Sequence, residues 1–309
     1  MIDCKTIAAE HKERLKRFIR ENKIEVSLAV VQVGCDPASS SYIRGKSKDC
    51  DEVGIKFNHY HLPETVDTES VLSLIHTLND DASVSGIIVQ LPLPKQLDKA
   101  AIINAVSDKK DVDGFKSSSE FTPCTPLGIL LVLDSLGVSV DGQVCCVIGR
   151  GEVGKPMVDL LTKLNATVLW CNSHTKAGDL RRLQDVSDIV VSATGVPGLV
   201  PHPYNNQIIF DVGISRGADG KLYGDVSKSC YCSEANITPV PGGVGLMTRV
   251  ALLENTVSAV APKWREWHDD WQACVVGRFQ GDVKTDPRRV HPRPYGYIWG
   301  ECDQLSRHV

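Results

Sequence analysis

The stretch VCCVIGRGEVGKP (144–156) decides the fold that this sequence predicts. Its first five residues are apolar and indicate a buried strand, while Pro156 is typical of a first helical turn. Between them, Gly149, Gly151 and Gly154 form a G-x-G-x-x-G pattern. Such glycines permit a tight turn and a close backbone approach to a pyrophosphate, which a helix N-terminus attracts. The stretch therefore predicts a dinucleotide site, with a plain strand-to-helix turn as the alternative.

Working outward, short apolar runs alternate with helical patterns on both sides of a polar, Ser- and Pro-rich segment, residues 110–126. This alternation predicts parallel strands joined by crossover helices, and hence an α/β protein with two α/β domains. The second domain is expected to be Rossmann-like. Strands are predicted at 26–34, 55–62, 84–91, 144–149, 166–170, 188–194 and 207–213, and helices near 41–53, 66–79, 127–137 and 247–260.

Composition narrows the range of partners. The chain has 309 residues, a formal net charge of -4 and no sustained run of Lys or Arg, so neither nucleic acid nor an anionic membrane surface is expected as a partner. The N-terminal segment predicts an amphipathic helix rather than a secretory signal, and no apolar run is long enough to span a bilayer.

The cysteines point to a reducing, cytoplasmic setting. The 11 Cys are scattered, and the adjacent Cys145 and Cys146 lie inside a predicted strand. Paired C-x-x-C spacings are lacking, so no metal site is expected. Cys230-Tyr231-Cys232 comes nearest to such a spacing, and we expect no metal or redox role for it.

The residues after the second strand of the glycine-loop unit bear on the cofactor. An NAD site usually places an acid there, but this strand continues into Cys171-Asn172-Ser173. Arg150 in the glycine loop and Ser173 could instead meet a 2′-phosphate, which favours NADP over NAD. The alternative is that Arg150 is a solvated loop residue.

Tyr42 and Lys46 follow a Ser-rich stretch that is expected to form a turn before the helix near 41–53. On that helix the two side chains lie one turn apart on the same face. A buried Lys can have its pKa lowered far enough to move protons near neutrality, and the phenol ring can stack on a flat heterocycle. The alternative is an exposed pair on a solvated face. Short-chain dehydrogenases also use Tyr-x-x-x-Lys, but there the pair follows the glycine loop, whereas here it precedes it.

Several further motifs accompany this pair. Gln90 ends a predicted strand, Asp113 lies in the boundary segment, and rigid Pro- and Gly-rich turns follow. Together and in this order the motifs resemble the methylenetetrahydrofolate dehydrogenase/cyclohydrolase family over residues 2 to about 260. The motifs are DPASSSYIRGKSKDCDEVGI (36–55), GIIVQLPLP (86–94), KDVDGF (110–115), PCTP (123–126), GRGEVGKP (149–156), ITPVPGGVG (237–245) and MTRVALLENT (247–256).

The resemblance implies oxidation of 5,10-methylenetetrahydrofolate with NAD(P)⁺ to the methenyl cation, followed by hydrolysis to 10-formyltetrahydrofolate. It implies that Tyr42 stacks on the folate, that Lys46 is the acid/base group of hydrolysis, and that Gln90 orients and tunes Lys46. Asp113 would bind the polar edge of the pterin, and Ser39 would help to position the Lys. Because family members that perform only the dehydrogenase step can lack this Lys, its presence favours both activities.

The resemblance also implies an architecture: the two domains flank a cleft, and chains pair as homodimers through the cofactor domain. The folate domain is expected at 1–122, completed by a returning helix at about 246–262, with the cofactor domain at 123–245 and an atypical tail at 263–309. The expected folate-binding residues are Tyr42, Ser39, Gln90, Leu91, Asp113, Pro241, Gly242 and Gly243. The expected cofactor-binding residues are Gly149, Arg150, Gly151, Val153, Gly154, Ser173, Thr194, Gly195 and Ile214.

Some residues depart from the family pattern. The segment between KDVDGF and PCTP is short, Gly151 replaces a common Ser, Leu246 replaces a Pro, and 201–210 replaces a more usual turn. The tail carries four of the five Trp, namely Trp264, Trp267, Trp271 and Trp299. These departures keep open a rival hypothesis: a non-catalytic or dehydrogenase-only homologue whose tail binds a protein.

Overall fold

The computed structural model describes residues 1–200, 207–231 and 236–264. Within these ranges, two parallel sheets are joined by helices, with a short hairpin and one 3-10 turn (Lys228–Cys230). The helices are α1 (Cys4–Asn22), α2 (Pro37–Val53), α3 (Thr68–Asp80), α4 (Lys99–Ala105), α5 (Cys124–Ser135), α6 (Gly154–Lys163), α7 (Ala177–Asp185) and α8 (Val244–Ser258). The strands are β1 (Ser27–Val33), β2 (Lys56–Leu62), β3 (Gly86–Val89), β4 (Val144–Ile148), β5 (Thr167–Cys171), β6 (Ile189–Ser192), β7 (Ile208–Asp211), β8 (Ser215–Arg216), β9 (Leu222–Tyr223) and β10 (Asn236–Ile237).

The first sheet has the order β2-β1-β3, and both pairings are parallel. All seven residues of the central β1 are buried, as expected for a parallel strand covered by helices on both faces. Alternate side chains enter different cores: Leu28 and Val30 pack with α1 and α2, whereas Ala29 and Val31 pack with α3. The carboxyl ends of β1 and β3 therefore lie side by side.

The second sheet has the order β10-β7-β6-β4-β5, and all its pairings are parallel. β4 and β6 are central and almost entirely buried, while β5 forms one edge. The predicted α/β class, with two units and a Rossmann-like second unit, is confirmed. Cys145 and Cys146 are buried in β4 as predicted.

Helix α2 differs from its sequence prediction at its start. It begins at Pro37 rather than near residue 41, because the Asp36 side chain accepts a hydrogen bond from the backbone N–H of Ser39 (2.7 Å) and Pro37 occupies the first helical turn. The expected Ser-rich turn is thus wrong, since Ser39 and Ser40 lie within the helix. Tyr42 and Lys46 remain one turn apart on it.

Helices α5 and α8 pack against each other and share one apolar core with residues of both sheets. Nine residues of α5 and eleven of α8 are buried, so both helices are enclosed on nearly every face. Their close approach depends on Gly128, where a Cβ would lie 2.8 Å from the backbone carbon of Met247. α8 also contacts α1 and α2, and it matches the returning helix predicted at 247–260.

The short segment between Asp113 and Pro123 is well anchored. Asn255 on α8 donates to the carbonyl oxygens of Val112 and Thr122, both at 2.9 Å. Phe121 is buried, and the Ser119 hydroxyl donates to the Asp111 carbonyl oxygen at 2.9 Å. Helix α8 therefore holds the chain at both ends of this segment.

Two other boundaries differ from prediction. β3 ends at Val89, so Gln90 and Leu91 lie just beyond the strand, and the Leu91–Pro92 peptide bond is cis. Helix α4 was not predicted, because only seven residues separate its N-cap, Asp98, from Val106. Within the described ranges, no helix is long and apolar enough to cross a membrane.

Only the start of the predicted tail is described. The Trp264 ring packs on Phe18, with ring centroids 4.6 Å apart, and its Nε1 donates to the Glu254 carboxylate. Residues 265–309, including Trp267, Trp271 and Trp299, lie outside the described residues, as do 201–206 and Cys232.

Candidate active site

Lys46 is the most deeply buried candidate for the chemistry. Only 6% of the residue is exposed, and its Nζ donates to Gln90 Oε1 at 3.1 Å. Burial lowers the pKa of Lys46, and the positive charge of Arg249 acts in the same direction, whereas the charge of Asp113 opposes the shift. The amine can therefore exchange a proton more readily than an exposed Lys.

Tyr42 borders this amine. Lys46 Nζ lies 5.1 Å from the centroid of the Tyr42 ring, and the Tyr42 hydroxyl donates to the Gly245 carbonyl oxygen at 3.3 Å. Burial, with the nearby Asp113, raises the pKa of Tyr42 well above its ordinary value, so the phenol stays protonated. The ring is thus fixed between α2 and the first turn of α8.

Ser39 and Leu91 support Gln90 rather than touching Lys46. The Leu91 carbonyl oxygen accepts from the Gln90 side-chain amide at 2.7 Å and from the Ser39 hydroxyl at 3.2 Å. This arrangement leaves Gln90 Oε1 facing the Lys46 amine. Ser39 is therefore linked to Lys46 by three hydrogen bonds in series: Ser39 to Leu91, Leu91 to Gln90, and Gln90 to Lys46.

Asp113 completes the first-domain cluster. Burial raises the pKa of its carboxyl, while the Lys46 charge lowers it, and the neighbouring Cys124 thiol also contributes a hydrogen bond. Its backbone carbonyl accepts from the Cys124 N–H at 3.2 Å. The carboxyl and the Lys46 amine thus influence each other's pKa, while burial favours the neutral form of each.

A cavity of about 200 Å³ connects this cluster to the glycine loop. Tyr42, Lys46, Gln90 and Asp113 line it on the first-domain side, and Glu152 and Val153 line it on the second. The two halves of the predicted site therefore face the same space, and a ligand there touches both domains. The rest of the lining comprises Val89, Leu91, Phe115, Pro123, Cys124, Thr125, Pro126, Thr248 and Leu252.

The glycine loop follows β4 as predicted. Gly149 has φ +123°, and a Cβ there would lie 2.5 Å from the Ala193 carbonyl oxygen. A Cβ on Gly154 would lie 2.3 Å from the Gly149 carbonyl oxygen, so both positions require glycine. Gly151 has no such requirement, since no described atom outside its chain neighbours approaches within 4 Å of a Cβ placed there.

The start of helix α6 suits a pyrophosphate. Within the described part of the chain, its N-cap residue Val153 makes no side-chain cap hydrogen bond. The Lys155 N–H donates to the Gly151 carbonyl oxygen at 3.2 Å, and Pro156 has no N–H, so the helix start favours an anion mainly through its dipole. Val153 lines the cavity at this point.

Arg150 and Ser173 follow the ends of neighbouring strands. Ile148 of β4 pairs with Cys171 of β5, so each of the two residues lies two positions beyond this pair. Both side chains are exposed, beyond the carboxyl ends of these two strands. The guanidinium of Arg150 stacks on Trp170, with Cζ 4.7 Å from the ring centroid.

Thr194, Gly195 and Ile214 follow β6 and β7 at the same edge. Asp225 Oδ2 accepts from the Thr194 backbone N–H (2.8 Å) and hydroxyl (2.9 Å), which fixes the turn. Gly195 has φ +71°, and Ile214 is 57% exposed. The predicted cofactor residues thus all lie at the carboxyl edge of one sheet, where ligands of such sheets bind.

Pro241, Gly242 and Gly243 form the turn before α8. The Val240–Pro241 bond is cis, Gly242 has φ +96°, and a Cβ on Gly243 would lie 2.3 Å from the Pro239 carbonyl oxygen. The turn leads directly to Gly245, which holds Tyr42.

Sequence reasoning missed several supporting residues. Asp225 is buried, and its sequence signal is weak: one glycine directly before it, Gly224, and another two residues after Asp211, Gly213. A Cβ on Gly213 would lie 1.9 Å from Asp225 Oδ1. Cys124, Thr125 and Thr248 also line the cavity, although PCTP was noted only as a rigid turn.

Comparison with known proteins agrees with this geometry. Residues 2–113 match the model of the tetrahydrofolate dehydrogenase/cyclohydrolase catalytic domain, and residues 123–264 match that of its NAD(P)-binding domain. The bifunctional protein FolD of Agathobacter rectalis is 46% identical over 276 residues, covering 84% of this chain and 98% of the relative. That of Aquifex aeolicus is 43% identical over 274 residues, covering 84% and 93%.

Solved structures agree as well. The crystal structure of the bifunctional enzyme FolD from Campylobacter jejuni has 40% identity and a TM-score of 0.78, covering 85% of this chain and 98% of that one. The Trypanosoma brucei enzyme, solved with NADP cofactor and an inhibitor, has 32% identity and a TM-score of 0.75, covering 85% and 96%. This chain therefore belongs to the tetrahydrofolate dehydrogenase/cyclohydrolase family.

Proposed function

We propose that this chain oxidises 5,10-methylenetetrahydrofolate with NADP⁺ and hydrolyses the methenyl product to 10-formyltetrahydrofolate in a single cleft. One observation carries the proposal: the buried Lys46 amine, hydrogen-bonded to Gln90, lines the same cavity as Val153 of the glycine loop. A reacting carbon in this cavity is within reach of both the proton-transferring group and the dinucleotide side.

The first step demands orientation. The methylene carbon loses a hydride to the nicotinamide of NADP⁺, and the folate nitrogen lone pairs stabilise the resulting cation. Because no proton moves in this step, the side chains need only hold the ring system. Tyr42 supplies a fixed aromatic face, and Asp113 supplies a carboxyl for the polar edge of the pterin.

The second step demands a proton carrier. Water adds to the methenyl carbon, and the neutral Lys46 amine takes a proton from it. The carbon–N5 bond then breaks, with Lys46 returning its proton to N5, and the hydroxyl proton of the adduct leaves to solvent as the formyl group forms on N10. Gln90 holds the amine in place through its Oε1, and the Ser39–Leu91 contacts hold Gln90.

NADP⁺ is the dinucleotide that we assign. The glycines at 149 and 154 permit the close backbone approach, and Arg150 and Ser173 offer a cation and a hydroxyl at adjacent strand ends for the 2′-phosphate. Thr194, Gly195 and Ile214 lie at the same edge, on the ends of β6 and β7.

The remaining assignments rest on family resemblance and composition. We assign the chain to cytoplasmic one-carbon metabolism, including formyl supply for purine synthesis, and expect a homodimer. We assign the folate domain to 1–122 with the returning helix at 246–262, and the cofactor domain to 123–245. Sedimentation equilibrium of the purified chain tests the dimer, since a monomer mass would contradict it.

A two-wavelength assay tests the function. The purified chain receives 5,10-methylenetetrahydrofolate and NADP⁺, and reduced cofactor and methenyl absorbance are followed together. We expect reduced cofactor to accumulate with little methenyl build-up, because the second step follows in the same cleft. A folded chain that binds NADP⁺ but produces no reduced cofactor would overturn the proposal and favour a non-catalytic homologue.

A further inference from the structure

Trp170 makes two contacts with the glycine loop that the proposed chemistry does not use. Its Nε1 donates to the Gly149 carbonyl oxygen at 2.8 Å, and its ring lies under the Arg150 guanidinium at 4.7 Å. One side chain on β5 thus holds both the first glycine of the loop and the residue that follows it.

Core packing does not account for this Trp. It is the penultimate residue of the edge strand β5 and remains 37% exposed, and it belongs to none of the apolar cores of the described chain. Trp side chains are on average more buried than this. A half-exposed indole at the ligand-binding edge of a parallel sheet suggests a role toward the ligand.

The guanidinium of Arg150 lies where a positive charge can meet a phosphate group. Arg150 lies two residues beyond Ile148, and Ser173 two residues beyond its strand partner Cys171. A free Arg side chain samples many rotamers, and ordering it costs entropy when it binds a phosphate. A guanidinium already held on an aromatic face loses less freedom, while its N–H edge remains available for hydrogen bonds.

We propose that Trp170 is a positioning residue that determines cofactor specificity, by holding Arg150 ready for the 2′-phosphate of NADP. The inference rests on the proposed function, since it takes NADP to be bound at the glycine loop. The hydrogen bond to Gly149 supports the loop for either dinucleotide, whereas the stacking contact serves only the cofactor that carries the extra phosphate.

Two variants separate these contacts. Trp170→Phe keeps an aromatic face and loses the N–H donor, whereas Trp170→Leu loses both. The probes are 2′,5′-ADP and 5′-AMP, which differ in the 2′-phosphate, and binding to the purified full chain is measured by calorimetry. We expect the wild type to prefer 2′,5′-ADP, Trp170→Phe to keep most of this preference, and Trp170→Leu to lose about 3- to 10-fold of it.

A double-mutant cycle makes the test specific. Arg150→Ala should weaken 2′,5′-ADP binding strongly in the wild type and much less in the Trp170→Leu background, because the Arg is no longer held. Equal losses of Arg150→Ala in both backgrounds, or equal weakening of both probes by Trp170→Leu, would overturn the inference.

The outcomes also distinguish this inference from the proposed function. If the wild type shows no preference for 2′,5′-ADP, both the NADP assignment and the role of Trp170 fail. If the wild type shows the preference and oxidises the folate, but Trp170→Leu keeps the preference, only the role of Trp170 fails. Should Trp170→Leu not fold, Trp170→Met, which retains length without an aromatic face, replaces it in the same cycle.

Discussion

The two sides of the cleft present different kinds of chemistry to a ligand. On the first-domain side, side chains from α2, the end of β3 and the boundary segment converge. Burial there lowers the pKa of Lys46 and raises that of Asp113, which favours the neutral form of each. On the second-domain side, glycines and backbone groups dominate, and the charged side chains of the loop, Arg150 and Glu152, are exposed. The first side suits the proton transfer that we propose, and the second suits a large anion.

The comparison predicts its largest effect at Lys46. Lys46→Met should lower cyclohydrolase activity at least ~10²-fold, because the proton carrier is removed, while hydride transfer stays measurable. Both rates are read from the two-wavelength assay. Lys48→Met, an exposed Lys on the same helix, serves as the matched control and should leave both rates close to wild type. Equal loss of both activities in Lys46→Met would contradict the division between the two sides.

On the dinucleotide side, the expected effect is on binding. Gly154→Ala places a Cβ 2.3 Å from the Gly149 carbonyl oxygen, so the loop must shift, and we expect the NADP⁺ dissociation constant to rise about 10-fold or more. Gly151→Ala is the matched control, because its Cβ enters open space among the described residues. Titration calorimetry measures both. Similar losses of NADP⁺ affinity in the two variants would contradict the idea that this side binds the dinucleotide through the close packing of its loop backbone.

The pH dependence of the two steps sharpens the comparison further. Because burial lowers the pKa of Lys46, the neutral amine forms as pH rises through that lowered value, and the cyclohydrolase rate should rise with it. The Asp113 charge raises the pKa of Lys46, so Asp113→Asn should move this ascending limb to lower pH. Rates at saturating folate reveal the limb, and hydride transfer should lack it. An ascending limb at the same pH in Asp113→Asn and wild type would contradict the electrostatic coupling between Asp113 and Lys46.

The smallest expected effect lies where the two sides touch. Lys99 on α4 forms an ion pair with Glu152 in the glycine loop, and the side chains are 49% and 60% exposed. Exposed pairs contribute about 0–1 kcal/mol and are screened by salt. Lys99→Ala and Glu152→Gln, singly and combined, should therefore change the Michaelis constant for folate less than about 5-fold, with non-additivity that fades at high salt. A larger coupling energy between Lys99 and Glu152 would contradict the view that the two sides of the cleft act separately.

The sequence predicted the two sides unequally. The glycine loop was recognisable because its constraint is local: Gly149 and Gly154 are close in the chain, and they also touch in space. Tyr42 and Lys46 were placed on one face by helical spacing alone. The contact of Lys46 with Gln90 depends on β3 lying beside β1, a strand order that the residue pattern did not predict.

What the sequence could not reveal comes from distant residues meeting. Gly45 gives no local signal, yet a Cβ there would lie 2.1 Å from Arg249 Nη1, two hundred residues later in the chain. Arg249 in turn forms an ion pair with Asp49, between Nε and Oδ2 at 2.8 Å, and lies near enough to lower the pKa of Lys46. The sequence likewise predicted only that Trp170 lies in a strand. Its contacts with Gly149 and Arg150 could not be predicted, because they require β4 and β5 to be paired in register.

Helix α8 sets the order in which the chain can mature during synthesis. It packs on α1 and α5, its Asn255 ties down the segment around Asp113, and Ile2 donates to the Ile237 carbonyl oxygen at 3.0 Å. The core around α1 therefore contains both early and late segments of the chain. A nascent chain can complete the β1–β3 sheet early, but the side chains of α1 and α5 that pack on α8 stay uncovered until residues 244–258 have emerged from the ribosome. The side of the cleft that carries Lys46 is thus completed last, after the strands of the second sheet have been synthesised.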